Sequence, residues 1–95
     1  MTNVAFWGLG SHAQRNLIPA AIDCKDVTLN GAWSRNKEKL SEVCSSRGIK
    51  SYTSSDEMLS DDTLDTIILC TPTGLHPEQG LKILKSGKNL WSEKS

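Results

Sequence analysis

The feature that most constrains this chain is a glycine-rich stretch near its N-terminus, Val4–Ala13, with the sequence VAFWGLGSHA. An apolar run leads into the pattern G-x-G-x-x-A, which is typical of a strand-to-helix turn that holds a dinucleotide. In such a turn Gly8 allows the sharp bend, Gly10 lets a pyrophosphate approach the backbone and Ala13 lets the helix pack closely on the strand. The helix N-terminus offers free N–H groups to phosphates. Two glycines in an ordinary turn after an edge strand would give the same pattern. The motif alone therefore does not distinguish a dinucleotide site from such a turn, and the rest of the sequence is needed.

Length and charge narrow the class of protein. Ninety-five residues suit one small domain, and 11 basic against 11 acidic side chains give a net charge of zero. That balance gives no support for a nucleic-acid or membrane-surface partner. The charges are segregated along the chain, and we expect both groups to form solvated faces. The acidic group is Asp56, Glu57, Asp61, Asp62 and Asp65; the basic group is Lys82, Lys85, Lys88 and Lys94.

The three cysteines, Cys24, Cys44 and Cys70, are an odd number without C-x-x-C spacing. They predict neither a disulfide framework nor a metal site, and they favour a reducing, cytoplasmic location. Cys70 stands in an apolar strand, where a small core residue is expected. The first residues lack the basic region of a signal peptide, and the run Ile67–Cys70 is far too short to span a membrane.

Apolar periodicity predicts alternating strands and helices. Strands are expected at 4–7, 27–33, 49–53, 64–71 and 89–92, and helices at 11–22, 36–47, 55–59 and 73–85. This alternation favours an α/β, Rossmann-type, doubly wound parallel sheet with helices on both faces. Right-handed crossovers give the strand order 3-2-1-4-5.

Several local details follow from residue type. Pro19 should bend the first helix or end it near Ile18, because proline breaks the helical hydrogen-bond pattern. Gly48 suits a left-handed cap after the second helix, and Ser54 or Ser55 suits the N-cap of the next. The fourth helix is expected to turn Leu81, Ile83 and Leu84 inward.

Polar groups follow four of the predicted strands at the end where ligands bind in such sheets, beside the reversal of strand order. They are Gly8–His12, Ser34–Lys37, Thr71–His76 and Glu93–Lys94. Their coincidence at one edge predicts a nucleotide site. The candidate cofactor-binding residues are Gly8, Leu9, Gly10, Ser11, His12, Ser34, Arg35, Lys37, Cys70, Thr71, Pro72, Thr73, His76 and Glu93.

The end of the second strand bears on the choice of cofactor. NAD sites place a carboxylate there for the ribose 2′-OH, whereas NADP sites place an arginine for the 2′-phosphate. Here Ser34 and Arg35 occupy the position, Lys37 adds charge, and no carboxylate lies between the end of the strand and Glu38. NADP is therefore expected, with NAD as second choice. In the structural alternative, Ser34 is the N-cap of the next helix and Arg35 is a plain surface residue.

After the fourth strand, Pro72 removes a donor and shapes the floor of the crevice. His76 opens the next helix, where the positive end of the helix dipole favours a neutral imidazole. A cap role for His76 is equally open.

Together these motifs resemble the N-terminal domain of the Gfo/Idh/MocA family, the glucose–fructose oxidoreductases and inositol dehydrogenases. The resemblance covers essentially the whole chain. It rests on Gly8-Leu9-Gly10 with Ala13, Ser34-Arg35 before a Lys/Glu-rich helix, Leu64-Asp65, Thr71-Pro72 with His76, Gly80-Leu81, Gly87-Lys88 and Glu93-Lys94. It implies an NAD(P)-dependent oxidoreductase that acts on a sugar-like or polyol substrate.

The resemblance also implies a catalytic role for Lys94, whose ammonium would hydrogen-bond the substrate oxygen beside the nicotinamide. Ser95 stands where the family has proline, so we expect the lysine to be held differently from the family's. The family continues with a sixth strand and a substrate domain. We therefore expect residues 1–95 to be a partial cofactor domain, inactive alone, with an open fifth strand that would allow self-association.

Three other interpretations stay open. A non-catalytic nucleotide-binding module, such as a sensor, would need no substrate domain. A methyltransferase dependent on S-adenosylmethionine also uses a glycine-rich loop, although Ser11, Thr71-Pro72 and the Glu-Lys ending do not suit it. A plain interaction domain would require four polar strand ends to meet by chance.

Overall fold

The structure is a computed structural model that describes residues 2–10, 13–70 and 76–92. Five parallel strands form one sheet in the order β3-β2-β1-β4-β5, which confirms the predicted topology. The strands are β1 Thr2–Trp7, β2 Val27–Trp33, β3 Lys50–Ser51, β4 Thr66–Leu69 and β5 Asn89–Ser92. β1 lies at the centre because its apolar run is buried on both faces.

Four α-helices connect the strands: α1 Ile18–Asp23, α2 Lys37–Arg47, α3 Ser55–Leu59 and α4 His76–Lys85. Alternate residues of β1 serve two cores. Val4 and Phe6 pack with residues of α1 and α2 on one face of the sheet, including Ile18. Ala5 and Trp7 pack on the other face with residues of α3 and α4. None of the helices in the described ranges has the length and apolar character needed to cross a bilayer.

Strand lengths differ from expectation at three places. β1 begins two residues earlier than predicted, at Thr2, because Thr2 N donates to Asp26 O at 2.9 Å. β3 is only two residues long, since Tyr52 turns inward and Ser54 already caps α3. β4 begins at Thr66 rather than residue 64, because the side chain of Asp65 accepts a hydrogen bond from Asn3 N at 2.8 Å.

The first helix does not end near Ile18, so that alternative is wrong. It starts as a π-helical turn, Ala13–Leu17, and continues as α1 to Asp23. In a regular α-helix the ring of Pro19 would clash with the carbonyl four residues earlier, at Arg15. The wider π turn directly before the proline moves that carbonyl away, so the helix passes through.

The inner face of α4 was predicted wrongly for two of three residues. Ile83 is fully buried, but Leu81 and Leu84 are 53% and 57% exposed. Gly80, three residues before Ile83, is the other buried position, and a Cβ there would lie 3.1 Å from Leu90. The buried stripe therefore runs through a glycine, which an apolar pattern does not reveal.

The two charged groups are not simply solvated faces. Lys88 is only 9% exposed, and its Nζ donates to the carbonyl oxygens of Asp61 at 2.8 Å and Leu64 at 3.3 Å. The half-buried carboxylate of Asp61 accepts from the Tyr52 hydroxyl at 2.6 Å. For these two residues the expectation is wrong, because both tie the segment before β4 to the rest of the sheet.

Candidate functional site

A cavity of about 310 Å³ opens at the carboxyl edge of the sheet, where the strand order reverses between β1 and β4. The residues that follow β1, β2 and β4 meet there, as expected for a doubly wound sheet. Ten of the described residues line it: Trp7, Gly8, Leu9, Gly10, Trp33, Ser34, Arg35, Asn36, Lys39 and Cys70. Six of them, Gly8, Leu9, Gly10, Ser34, Arg35 and Cys70, are predicted cofactor-binding residues.

The turn after β1 is held by backbone geometry. Gly8 has φ +101°, a conformation that L side chains rarely adopt, and its N–H donates to Trp33 O at 2.8 Å. Two bonds then fix the start of the helix: Gln14 N donates to Gly10 O at 3.1 Å and Gln14 Nε2 to Leu9 O at 2.9 Å. The turn is therefore tied to β2 on one side and to the helix on the other.

Gly10 lines the cavity, but the protein itself does not require a glycine there. Its φ is not positive, and a Cβ built on it meets nothing within 4 Å. Such a Cβ would enter space that no described protein atom occupies. This is the geometry that a pyrophosphate needs to reach the backbone, so the residues present fit a dinucleotide.

The end of β2 carries the cationic side of the cavity. Asn36 is the N-cap of α2, since its side chain accepts from Lys39 N at 3.1 Å. The reading of Ser34 as the N-cap is therefore wrong, and the Ser34 hydroxyl instead accepts from Asn36 N at 3.3 Å. Arg35 is exposed and lines the cavity together with Lys39.

Other predicted residues take different places. Lys37 is exposed at the start of α2 and is not among the residues that line the cavity, whereas Lys39 is. Cys70 is half-buried rather than fully in the core, and its N–H donates to Trp7 O at 2.8 Å. His76 begins α4. The predicted residues Ser11, His12, Thr71, Pro72, Thr73, Glu93 and Lys94 lie outside the described residues.

A second cavity, of about 260 Å³, adjoins the first and shares Trp7, Trp33 and Arg35 with it. Its other walls come from the start of α3, with Ser55, and from α4, with Glu78, Gln79 and Lys82. Sequence reasoning missed this cavity, although two tryptophans at matching strand ends were a usable signal.

The two tryptophans are paired across β1 and β2. Their ring centroids are 5.9 Å apart at an interplanar angle of 85°, an edge-to-face contact. Trp7 is only 3% exposed, and its Nε1–H is the one buried side-chain polar atom found without a hydrogen-bond partner in the described structure. A buried donor of this kind calls for an explanation.

The comparison with protein families agrees with this geometry. Residues 2–94 match the profile GFO_IDH_MocA, described as an oxidoreductase family with an NAD-binding Rossmann fold. The chain belongs to this family. Membership confirms the resemblance drawn from the motifs and sets aside the methyltransferase and plain interaction-domain interpretations. The chain is an NAD(P)-binding oxidoreductase domain.

Three known proteins illustrate the relationship. The 4-carboxy-2-hydroxymuconate-6-semialdehyde dehydrogenase of a Sphingobium strain is 33% identical over 91 residues, covering 95% of this chain and 29% of that protein. The scyllo-inositol 2-dehydrogenase (NADP(+)) of Bacillus subtilis is 27% identical over 78 residues, covering 81% of this chain and 24% of that protein. The crystal structure of the WlbA dehydrogenase from Bordetella pertussis, in complex with NADH and UDP-GlcNAcA, matches with a TM-score of 0.88 at 29% identity, over 97% of this chain and 28% of that one. This chain thus spans less than a third of each of these proteins.

Proposed function

We propose that this chain is the cofactor-binding part of an oxidoreductase that uses NADP to oxidise or reduce a sugar-like or polyol substrate. The observation that carries the proposal is the cavity at the reversal of strand order, with Gly10 open on one wall and Arg35 and Lys39 on another. The glycine wall suits a pyrophosphate, and the cationic wall suits a further phosphate. When bound, the nicotinamide supplies hydride transfer to or from a carbon of the substrate.

The preference for NADP rests on charge at the end of β2. The Arg35 guanidinium offers a planar fork of donors, which matches a phosphate better than a ribose hydroxyl. Lys39 adds a second positive charge on the first turn of α2. A carboxylate at this position would repel the 2′-phosphate, and among the described residues that line the first cavity none is acidic.

The substrate class rests on relatives. The Bacillus subtilis relative is named for a cyclic polyol, and the Bordetella pertussis relative was crystallised with a sugar nucleotide. By analogy with the family, Lys94 would hydrogen-bond the reacting oxygen of the substrate and help to move its proton. Because this chain covers less than a third of these relatives, we assign the remaining substrate contacts to protein beyond residues 1–95.

The cofactor preference is tested by titrating the chain with NADPH and NADH. Arg35→Ala should weaken NADPH binding by about tenfold or more, because a charge-assisted hydrogen bond to the 2′-phosphate contributes about 1.5–3 kcal/mol. NADH binding should change little. Lys39→Ala should show the same pattern to a smaller degree.

Lys37→Ala is the matched control, since it removes the same charge from the same turn of α2 at a position that does not line the cavity. Its affinity for NADPH should stay within about twofold of wild type. Unchanged NADPH affinity in both Arg35→Ala and Lys39→Ala would overturn the assignment of NADP.

A further inference from the structure

Exposed apolar side chains gather at the outer edge of β5. Among the described residues four large hydrophobic side chains are exposed, and one of them, Ile22, lies apart on α1. The other three are Leu81 and Leu84 of α4, 53% and 57% exposed, and Trp91 of β5, 53% exposed. Single exposed apolar residues need no explanation, whereas a group of them marks an interaction surface.

The two leucines lie on the flank of α4 that faces away from the centre of the sheet. The buried stripe of this helix runs through Gly80 and Ile83, and on one side of the stripe Gln79 lines the second cavity beside Trp7 and Trp33. The helical period places both leucines on the opposite side of the stripe. They therefore border the outer edge of β5 on the face that carries α4.

Trp91 borders the same edge on the other face. Leu90 points towards α4, since a Cβ on Gly80 would lie 3.1 Å from it. Successive strand residues point to opposite faces, so Trp91 points away from α4, where it lines an apolar groove with Phe6 and Ile68. The open edge of β5 thus has exposed apolar groups on both faces of the sheet.

The backbone of β5 is open to a further strand. Asn89 N donates to Asp65 O at 2.9 Å, so Asn89 and, by alternation, Trp91 direct their backbone groups at β4. Leu90 and Ser92 then direct theirs outward, and no strand among the described residues pairs with them. Such a row of backbone donors and acceptors is a template for pairing with another chain.

The two edges of the sheet differ in their protection against such pairing. Edge strands are commonly protected by short length, by lysine or by proline. β3 has only two residues and one of them is Lys50, whereas the four residues of β5, with the sequence NLWS, carry no charge and no proline. The chain as a whole has zero net charge, so no overall repulsion keeps two copies apart.

We propose that the outer edge of β5 is a self-association surface, on which a second copy of this chain pairs antiparallel about a twofold axis at Trp91. In this register Leu90 of each copy faces Ser92 of the other in a hydrogen-bonded pair, because both direct their backbone groups outward. Trp91 faces its own equivalent in a non-hydrogen-bonded pair, where side chains come closest and aromatic pairs stabilise a sheet.

The same twofold axis also accounts for the exposed leucines. An axis perpendicular to the sheet leaves each face on its own side, so the α4 helices of both copies lie on one face. α4 packs on β4 and β5. With strands about 4.8 Å apart, the two helices would be separated by about 10 Å, which is the distance between packed helices. Leu81 and Leu84 would fill the space between them. The proposal does not depend on the proposed function, because the cofactor cavities lie on the other side of α4.

The test is sedimentation equilibrium of the 95-residue chain. One short strand and three side chains per copy form a small interface, and interfaces below about 1,200 Å² are usually weak. The concentration series should therefore run from about 10 µM to about 1 mM. The average mass should rise from that of one chain towards that of two and no further, since a twofold interface is closed. A single-chain mass throughout the series would overturn the proposal.

Lysine substitutions locate the interface. Trp91→Lys and, independently, Leu84→Lys should each weaken association about tenfold or more, because they replace central apolar contacts by like charges facing each other. Ile22→Lys is the matched control: it places the same charge on an exposed hydrophobic residue away from β5, and its association should stay within about twofold of wild type. Association that survives both Trp91→Lys and Leu84→Lys would place the contact elsewhere and contradict the proposal.

A charge swap tests the twofold register itself. Trp91→Lys and Trp91→Glu should each stay largely single chains, while an equimolar mixture of the two should associate, because position 91 of one copy faces position 91 of the other. Amide hydrogen exchange provides a second test. The Leu90 N–H should become protected as the wild-type concentration rises, while that of Trp91, already directed at β4, should change little. A mixture that does not associate, or a Leu90 N–H that exchanges equally fast at all concentrations, would rule out this pairing.

Discussion

Gly8 and Gly10 stand two residues apart in one turn, yet they are glycines for different reasons. Gly8 has φ +101°, so any side chain there would strain the backbone. The φ of Gly10 is not positive, and a Cβ on it would meet no atom of the described residues within 4 Å. Gly8 therefore serves the fold of the turn, and we propose that Gly10 serves what the turn binds.

This difference predicts opposite phenotypes for two equal substitutions. Gly10→Ala should leave the unfolding midpoint unchanged or slightly raised, because alanine restricts the unfolded chain by about 0.4–1 kcal/mol. It should weaken NADPH binding by about tenfold or more, since the methyl group occupies the approach of the pyrophosphate. Gly8→Ala, the control, should lower the midpoint. Thermal unfolding measures the midpoint of each variant, and a calorimetric titration measures its affinity for NADPH. Normal NADPH affinity in Gly10→Ala would contradict the proposed pyrophosphate position.

At the scale of single residues, the sequence predicts part of the candidate site. Gly8, Gly10, Ser34 and Arg35 were identified from spacing, because strand-end position follows directly from the alternation of elements. Lys37 was predicted to add charge to the site, whereas Lys39 lines the cavity, because the lining position depends on which residue caps α2 and so sets the rotation of the helix. A sequence also does not show that the Trp7 N–H lacks a hydrogen-bond partner among the described residues, because tryptophan there predicts only a buried strand residue.

At the scale of elements, the crossover from β3 to β4 is the part held most by side chains. β3 has two residues and α3 has five, so neither contributes many backbone hydrogen bonds. Tyr52 is 1% exposed and donates to the Asp61 carboxylate at 2.6 Å. Burial, together with the adjacent carboxylate, raises the pKa of Tyr52 above its ordinary value, so the phenol stays a protonated donor.

Removing this hydrogen bond should destabilise the chain. Tyr52→Phe keeps the ring in the core but leaves the half-buried Asp61 carboxylate without one of its donors. We expect a loss of about 1–2 kcal/mol in the free energy of unfolding, measured with urea. Asp62→Asn, at an exposed neighbouring carboxylate, should lie within about 0.5 kcal/mol of wild type. Equal stability of Tyr52→Phe and wild type would show that the hydroxyl contributes nothing.

The Asp61 carboxylate also makes the free energy of unfolding depend on pH. The Thr63 hydroxyl, then the Tyr52 hydroxyl and the Thr63 N–H, hold the pKa of Asp61 down at about 2, below its ordinary value of 3.8. A lowered folded-state pKa stabilises the fold above the ordinary value, and that contribution is lost as the pH falls from about 4 towards 2.

Urea unfolding at several pH values across this window should therefore show Asp61→Asn losing less stability on acidification than wild type. The difference should be about 1 kcal/mol, because partial solvent access screens the interaction. The free energy of unfolding of Asp62→Asn should fall with decreasing pH as steeply as that of wild type. If Asp61→Asn also lost stability as steeply as wild type, other carboxylates would govern the acid response.

The boundaries of the strands and helices show which features could be predicted from the sequence and which could not. β2 and β5 match their predicted ranges, because each apolar run is bounded by polar residues. The continuation of the first helix through Pro19 could not be foreseen, since it depends on a π turn that the residue pattern does not encode. Likewise, Lys88 looks like a surface lysine until two carbonyl oxygens from the segment before β4 are seen around its ammonium.

For the whole molecule, the parallel sheet explains why one edge carries the chemistry. All five strands point the same way, so the residues that follow them meet at one end, and the reversal between β1 and β4 leaves a crevice there. This chain covers less than a third of its relatives, and we propose that most of the substrate contacts lie outside the part of them that it matches. Cofactor binding and turnover should therefore separate in this chain.

The 95-residue chain should bind NADPH without catalysing a reaction at a useful rate. Hydride transfer requires the substrate carbon to be held within contact distance of the nicotinamide, and positioning of this kind accounts for a large part of enzymatic rate. The check is to confirm NADPH binding by fluorescence and then to follow NADPH absorbance in the same sample with keto-sugars and keto-inositols. Arg35→Ala, measured in parallel, identifies any absorbance loss that does not depend on the bound cofactor. Turnover by this chain alone, abolished in Arg35→Ala, would show that residues 1–95 already contain a complete active site.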